Sequence, residues 1–209
     1  MTNSEPLVYV VDDEASIRDS LAMLLRSVGL VSRTFGDAKS FLAAYEPRPD
    51  TCLIADVRMP GMSGIELQEA LRSRGAELPI VIITGHGDIA MAVRAMKAGA
   101  ADFIEKPFHD QTLLDAVHRA LARSADPRVE AAALDGDELN KRLATLTSRE
   151  REVMALGVEG RPNKTVATRL GLSTRTVEVH RAKAMEKMQA QSLADLVRMA
   201  IACGMTKAY

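Results

Sequence analysis

The sequence predicts two dissimilar parts: an α/β domain built on a doubly wound, five-stranded parallel sheet, then a small all-α domain with a helix-turn-helix. Three observations carry this. Across residues 1–125, five short β-type runs alternate with helical patterns. Two of those runs, "CLIADV" and "PIVIIT", are near-continuously apolar, as central parallel strands are. From Thr147 onward every segment has a helical pattern, and only Gly171-Leu172 separates two of the helices.

The elements follow in order. "LVYVV" (Leu7–Val11) leads into a helix with Ile17, Leu21, Leu24, Leu25 and Val28 on one face. "VSRTF" precedes "DAKSFLAAY", and "CLIADV" precedes "GIELQEALRSRG", with Ser63 placed to cap that helix. "PIVIIT" precedes "DIAMAVRAMKAG", and "ADFIEK" precedes "DQTLLDAVHRALARS". The pattern breaks at Asp126-Pro127, where Asp as N-cap and Pro at the first helical position restart a helix. Gly136 interrupts that helix before "DELNKRLATL" resumes, so residues 126–142 read as a charged, partly helical linker, with a disordered tether as the alternative. The domain boundaries are then 1–125, 126–142 and 143–209. In the last part Thr147 and Glu150 have capping-box spacing, and Asn163, Ser173 and Ser192 are placed to cap the next three helices.

Composition narrows the class. Hydrophobic residues make up 47% of the 209, enough for one or two globular domains. No stretch reaches the roughly 18 uninterrupted apolar residues of a membrane span. The start "MTNSEPLVYVVDDE" does not read as a signal peptide, so the expected compartment is the cytoplasm. Cys52 and Cys203 suggest neither a disulfide framework nor a metal site and read as small buried hydrophobes. Net charge is −1, yet residues 1–125 carry −4 and residues 143–209 carry +5. A basic C-terminal part points toward nucleic acid.

The polar residues of the α/β part concentrate at predicted strand ends. Asp12 and Asp13 follow the first strand, Asp56 ends the third, Thr84 the fourth and Lys106 the fifth. In a parallel sheet these ends share one edge, where ligands bind. Three neighbouring carboxylates repel unless a cation neutralises them. Oxygen ligands without His or Cys favour Mg2+. Such an ion retains an open position for a phosphoryl oxygen, Lys106 and the Thr84 hydroxyl serve the remaining oxygens, and Asp56 becomes a nucleophile forming an acyl phosphate. Singly each residue has a plainer role, such as an N-cap or a strand terminator, and the order of all five is what argues for the site. "GHGDIA" partly matches a dinucleotide fingerprint but sits on the fourth strand and leaves the acids unexplained. "GMSG" lacks the spacing of a nucleophile elbow and reads as a turn.

"VYVVDDE", "LIADVRMPGMSGIEL", "VIITGHGD" and "ADFIEKPF" resemble the receiver domain of two-component response regulators, over residues 5–123. The resemblance implies a flavodoxin/CheY-like fold and transfer of a phosphoryl group to Asp56 from the phosphohistidine of a sensor histidine kinase, or from small donors such as acetyl phosphate. It implies that Asp13, Asp56 and the backbone carbonyl of Arg58 hold Mg2+, with Asp12 helping through water. It also puts Thr84 and Phe103 at the switch positions, where the hydroxyl moves toward the phosphoryl group as the ring rotates inward.

On a helical wheel, "STRTVEVHRAKAMEKM" places Val177, Ala184 and Met188 inside, with His180 and Arg181 at the margins. Arg175, Glu178, Val179, Ala182 and Lys183 face solvent. Small apolar groups among basic residues suit a major-groove helix, where they touch thymine methyls, and Glu178 can accept from cytosine N4. Lys164, Arg175, Arg181 and Lys187 are expected at phosphates, with Thr174 and Lys183 also facing DNA. His180 reads as a packed structural histidine.

Residues 145–188 resemble the LuxR-type helix-turn-helix, and the whole chain a FixJ-type transcriptional regulator of the NarL/FixJ class. That implies a double-stranded DNA operator, phosphorylation-promoted homodimers aided by the last helix, contact with RNA polymerase, and a phosphoacceptor that gains and loses its phosphoryl group rather than a conventional enzyme. Two departures matter. Pro162 stands where many relatives have Ser, so Asn163 is expected to take over capping. Glu178 stands where other members carry a base-reading Lys, so their operator sequence does not carry over. A receiver-controlled methylesterase is disfavoured by the basic, elbow-free C-terminal part, and an RNA-binding antiterminator by the Gly171-Leu172 turn.

Overall fold

The computed structural model describes residues 5–85, 89–125 and 136–205. The described residues divide into two compact units, one of residues 5–85 and 100–125, the other of residues 89–99 and 136–205. The reading at Asp126-Pro127, and residues 86–88 of the "GHGDIA" motif, lie outside the described residues.

The first unit is the expected parallel sheet. Strands β1 (Leu7–Val11), β2 (Val31–Phe35), β3 (Thr51–Asp56), β4 (Ile80–Thr84) and β5 (Asp102–Glu105) pair in the order β2-β1-β3-β4-β5. Every residue of β1, β3 and β4 is buried, and edge strand β2 is largely open. The helices of this unit are α1 (Ala15–Ser27), α2 (Ala38–Ala44), α3 (Gly64–Ser73) and α5 (Asp110–Ala125), while α4 (Ile89–Lys97), which follows β4 in the chain, falls in the second unit.

Period-2 alternation sorts the side chains into two layers. Val8, Val10, Cys52, Ile54, Val81 and Ile83 form one core cluster with Leu21 and Leu25 of α1 and Leu113 and Val117 of α5. Cys52 lies in this layer fully buried, and burial pushes its thiol pKa up to about 12. Tyr9 meets Phe35, Phe41 and Tyr45 at ring-centroid distances of 6.2, 5.3 and 5.9 Å. That cluster gathers four of the chain's seven Tyr and Phe residues, anchoring the β2 side of the sheet.

Strand order reverses between β1 and β3. This is where an open parallel sheet leaves a crevice beyond its carboxyl ends, and the ends of β1 and β3 carry Asp12 and Asp56.

From residue 136 onward the helical elements are α6 (Gly136–Ala144), which begins inside the expected linker, α7 (Ser148–Val158), α8 (Asn163–Leu170), α9 (Thr174–Met188) and α10 (Leu193–Ala202). Val153, Leu156, Val166, Ala167 and Val177 form their core cluster, with Leu170 and Leu172 against it. Gly171 takes φ +66°, a left-handed conformation open to glycine, and so permits the tight α8–α9 turn. Leu139 of α6 is buried, and Arg142 donates to the Met188 carbonyl at 3.3 Å, so residues 136–144 pack as part of this helical set.

Caps behave mostly as the sequence predicts. Ser63 with Glu66 and Thr147 with Glu150 form capping boxes, and Ser173 and Ser192 accept from the third residue onward. Asn163 does not cap. The Pro162 carbonyl accepts the first helical bond, from the Val166 N–H at 3.0 Å, so Pro162 is the N-cap and Asn163 is already helical. Proline has no side-chain oxygen to offer, and that end carries no side-chain cap bond.

Candidate functional site

Asp12 and Asp56, which lie 94 and 50 positions from Lys106, meet on its side chain. Lys106 Nζ donates to Asp56 Oδ1 at 2.8 Å and to Asp12 Oδ2 at 2.9 Å. Both acids are buried, Asp12 at 1% exposure and Asp56 at 5%. The backbone fixes the partners: Lys106 N–H donates to the Thr84 carbonyl at 2.7 Å, and Val57 N–H to the Ile83 carbonyl at 2.9 Å. The second oxygens are also held. Asp12 Oδ1 accepts from Glu14 N–H at 2.9 Å, and Asp56 Oδ2 from Arg58 N–H at 2.6 Å.

Burial draws the Lys106 pKa down, but hydrogen bonds and charge from Asp56 and Asp12 outweigh it and hold the ammonium above its ordinary value. Two carboxylates on one ammonium leave surplus negative charge. Asp13 adds an exposed carboxylate at the rim. Thr84 is fully buried at the end of β4. Phe103, on β5 beside Ile82 of β4, is 8% exposed, so in this conformation its ring is already inside.

Among the described residues, no three His, Cys, Asp or Glu side chains gather closely enough to hold a metal by themselves. Mg2+ does not require that, because it usually takes one or two carboxylates, keeps several waters and shares phosphate oxygens. An all-oxygen donor set with surplus negative charge fits such an ion.

Two residues at this edge escaped the sequence reading. A Cβ on Gly64 would stand 2.3 Å from the Asp56 carbonyl oxygen, so α3 can start this close to β3 only with glycine there. Its signal was a glycine inside a capped helix start, where alanine propagates better. Arg18 of α1 donates from Nη1 to the carbonyls of Asp12 at 2.7 Å and Asp13 at 3.0 Å. Nothing in the sequence separates it from a solvated arginine.

In the helical part, α9 buries Val177, Ala184 and Met188. It exposes Thr174, Arg175, Glu178, Val179, Ala182 and Lys183, with Val179 at 47% exposure. Arg181 is half-buried and Lys164 on α8 is exposed. His180 is half-buried, and its Nδ1 lies buried without a partner among the described residues. Lys187 corrects the expectation of a phosphate contact. Its Nζ is 2.7 Å from buried Glu150 and 3.3 Å from the Thr145 carbonyl, because that buried carboxylate requires a cation.

These features define a receiver domain and a helix-turn-helix in one chain. Residues 8–118 match the response regulator receiver domain, and residues 144–200 match the luxR family of bacterial regulatory proteins. The chain is 49% identical to the transcriptional regulatory protein FixJ of Azorhizobium caulinodans, over 96% of this chain and 94% of that protein. It is 46% identical to nodulation protein W of Bradyrhizobium diazoefficiens, over 98% and 89%. Among solved structures it is similar to the response regulator StyR, at 47% identity and TM-score 0.57 over 94% and 98% of the two chains. It is also similar to full-length FixJ of Bradyrhizobium japonicum, at 41% identity and TM-score 0.54 over 98% and 100%. The chain belongs to the response regulators with a LuxR-type DNA-binding domain and is a FixJ-like transcriptional regulator, not a conventional enzyme. Such a regulator has a cognate kinase and DNA as partners. Among the described residues no helix is long and apolar enough to cross a membrane.

Proposed function

We propose that Asp56 is the phosphoacceptor through which a sensor histidine kinase controls this protein's binding to DNA in the cytoplasm. The observation that carries the reading is the Lys106 ammonium spanning buried Asp12 and Asp56 at the β1/β3 switch point. An Asp56 carboxylate oxygen attacks the phosphorus of a phosphohistidine. The new O–P bond forms as the P–N bond breaks, and the imidazole leaves with the electron pair and takes up a proton. Lys106, already at hydrogen-bond distance from Asp56, shifts to a phosphoryl oxygen as charge develops there. Asp13, Asp56 and the Arg58 carbonyl are the groups that would hold Mg2+, with Asp12 acting through water. The bound ion supplies neutralisation of phosphoryl oxygens. Thr84 donates its hydroxyl to the phosphoryl group, and its movement, coupled to Phe103, alters the receiver surface. The same site later releases the group to water.

Phosphorylation then favours homodimers, with α10 contributing to the contact. Joining two α9 helices raises effective concentration at a two-fold operator, from which RNA polymerase is contacted. Arg175, Arg181, Lys183 and Lys164 meet phosphates, while Thr174, Glu178, Val179 and Ala182 face the groove.

The test is intact mass and sedimentation with acetyl phosphate and Mg2+, for wild type and Asp56→Asn. A gain of one phosphoryl group in wild type alone, with increased association, is expected. No gain in wild type, or an equal gain in Asp56→Asn, defeats the proposal.

A further inference from the structure

We propose that Arg18 is a positioning residue that holds the β1–α1 loop so that Asp12 and Asp13 serve a divalent cation; this rests on the reading of that site given above. Arg18 sits one turn into α1, and its guanidinium turns back under the loop. One nitrogen, Nη1, serves two successive carbonyls, those of Asp12 at 2.7 Å and Asp13 at 3.0 Å. Both belong to the residues whose carboxylates are the candidate ligands. Hydrogen bonds from a charged donor are stronger than neutral ones, so the grip is firm for a half-buried side chain.

Three features make this more than a surface arginine. The loop has a second anchor in Asp12 N–H, which donates to the Phe35 carbonyl at 3.2 Å. The chain after β2 passes close beside the guanidinium, since a Cβ on Gly36 would lie 3.6 Å from Nη1. Asp12 Oδ1 is itself bound to Glu14 N–H, so backbone and carboxylate of this residue are fixed together. A carbonyl engaged by guanidinium is a poor further ligand. Asp12 and Asp13 are therefore left with their carboxylates to offer. The arginine charge also eases repulsion between the acids before an ion arrives. Outer groups that orient ligands commonly govern 10–100-fold of metal affinity.

The test is calorimetric Mg2+ titration of the unphosphorylated full-length protein, with acetyl phosphate labelling across the same Mg2+ range, for wild type, Arg18→Gln and Arg18→Lys. Arg18→Gln is expected to bind Mg2+ about tenfold more weakly. Half-maximal labelling moves to higher Mg2+ in step, and the rate at saturating Mg2+ stays close to wild type. Arg18→Lys recovers part of the loss, because an ammonium reaches one carbonyl. If Arg18→Gln does not fold, Arg18→Lys decides alone, with affinity between wild type and the tenfold loss. Unchanged Mg2+ affinity in a folded variant, even with lower thermal stability, marks a merely structural arginine and overturns the inference. Wild-type protein that neither binds Mg2+ nor takes label removes the reading of the site itself, which is a different failure from variants that match a working wild type.

Discussion

A methyl group on Gly64 would stand 2.3 Å from the backbone oxygen of Asp56. The start of α3 is pressed against the end of β3, and Gly64 N–H donates to the Val57 carbonyl at 3.1 Å. The opposing atom is backbone and cannot swing aside. Gly64→Ala is expected to cost about 1–3 kcal/mol through overpacking, although alanine suits a helix better. Urea unfolding followed through Tyr9 and Tyr45, which report on the first unit, measures the cost. The variant should also label more slowly with acetyl phosphate. A variant as stable and as fast as wild type would show that α3 shifts freely.

Removal of the Lys106 ammonium exposes the acids to each other. Lys106→Met is expected to lower stability in EDTA, with about 3–5 kcal/mol as an upper bound because the lysine is partly exposed. Mg2+ should then raise the melting temperature more in the variant than in wild type, since it meets two unpaired carboxylates. Equal gains would place the ion elsewhere. The ordinary ammonium contribution has a defined sign with pH. The folded pKa lies above the unfolded value of 10.5, so the stabilisation is fully present below 10.5 and is lost only as pH rises through the higher folded value.

Glu150 behaves oppositely. Its bond to Lys187, then the Thr147 backbone N–H, lower its pKa from 4.5 to about 2, against the opposing effect of burial. The folded pKa is depressed, so this stabilisation is complete above about 4.5 and disappears as pH falls toward about 2. Thermal melts of the full chain between those limits should show a falling midpoint for the helical part. Glu150→Gln should be less stable near neutrality and flatter across the same window. A wild-type midpoint that does not move there would contradict the pairing.

The exposed face of α9 separates two kinds of DNA contact. Arg175→Ala and Lys183→Ala should each weaken binding on all sequences and reduce the salt slope by about 0.9. Glu178→Gln should leave the salt slope nearly unchanged and alter preference at one base pair by about 1–3 kcal/mol. Binding titrations at several salt concentrations, on the operator and on scrambled duplex, distinguish these outcomes. A steeper loss of salt dependence for Glu178→Gln than for Lys183→Ala would put the helix in a different orientation.

Most of this architecture is readable along the chain. The five strands follow from runs such as Ile80–Thr84, whose continuous apolar character needs burial on both faces. The caps at Ser63, Thr147, Ser173 and Ser192 are readable because each bond spans only three residues. Even the meeting of Asp12, Asp56 and Lys106 could be expected, since a parallel sheet sends all its strand ends to one edge. Asn163 shows where local reading fails: a one-residue shift in the first accepted carbonyl moved the cap to a residue whose side chain has no group to accept a bond.

Lys187, Gly64 and Arg18 were settled at longer range. Lys187 belongs to a carboxylate 37 positions earlier, Gly64 is required by a carbonyl on a neighbouring strand, and Arg18 is defined by the loop it folds back onto. Periodicity and capping are written in adjacent residues because helices and strands repeat over a few positions. Which distant groups come within 3 Å depends on how those elements pack, and that information is spread across the whole core.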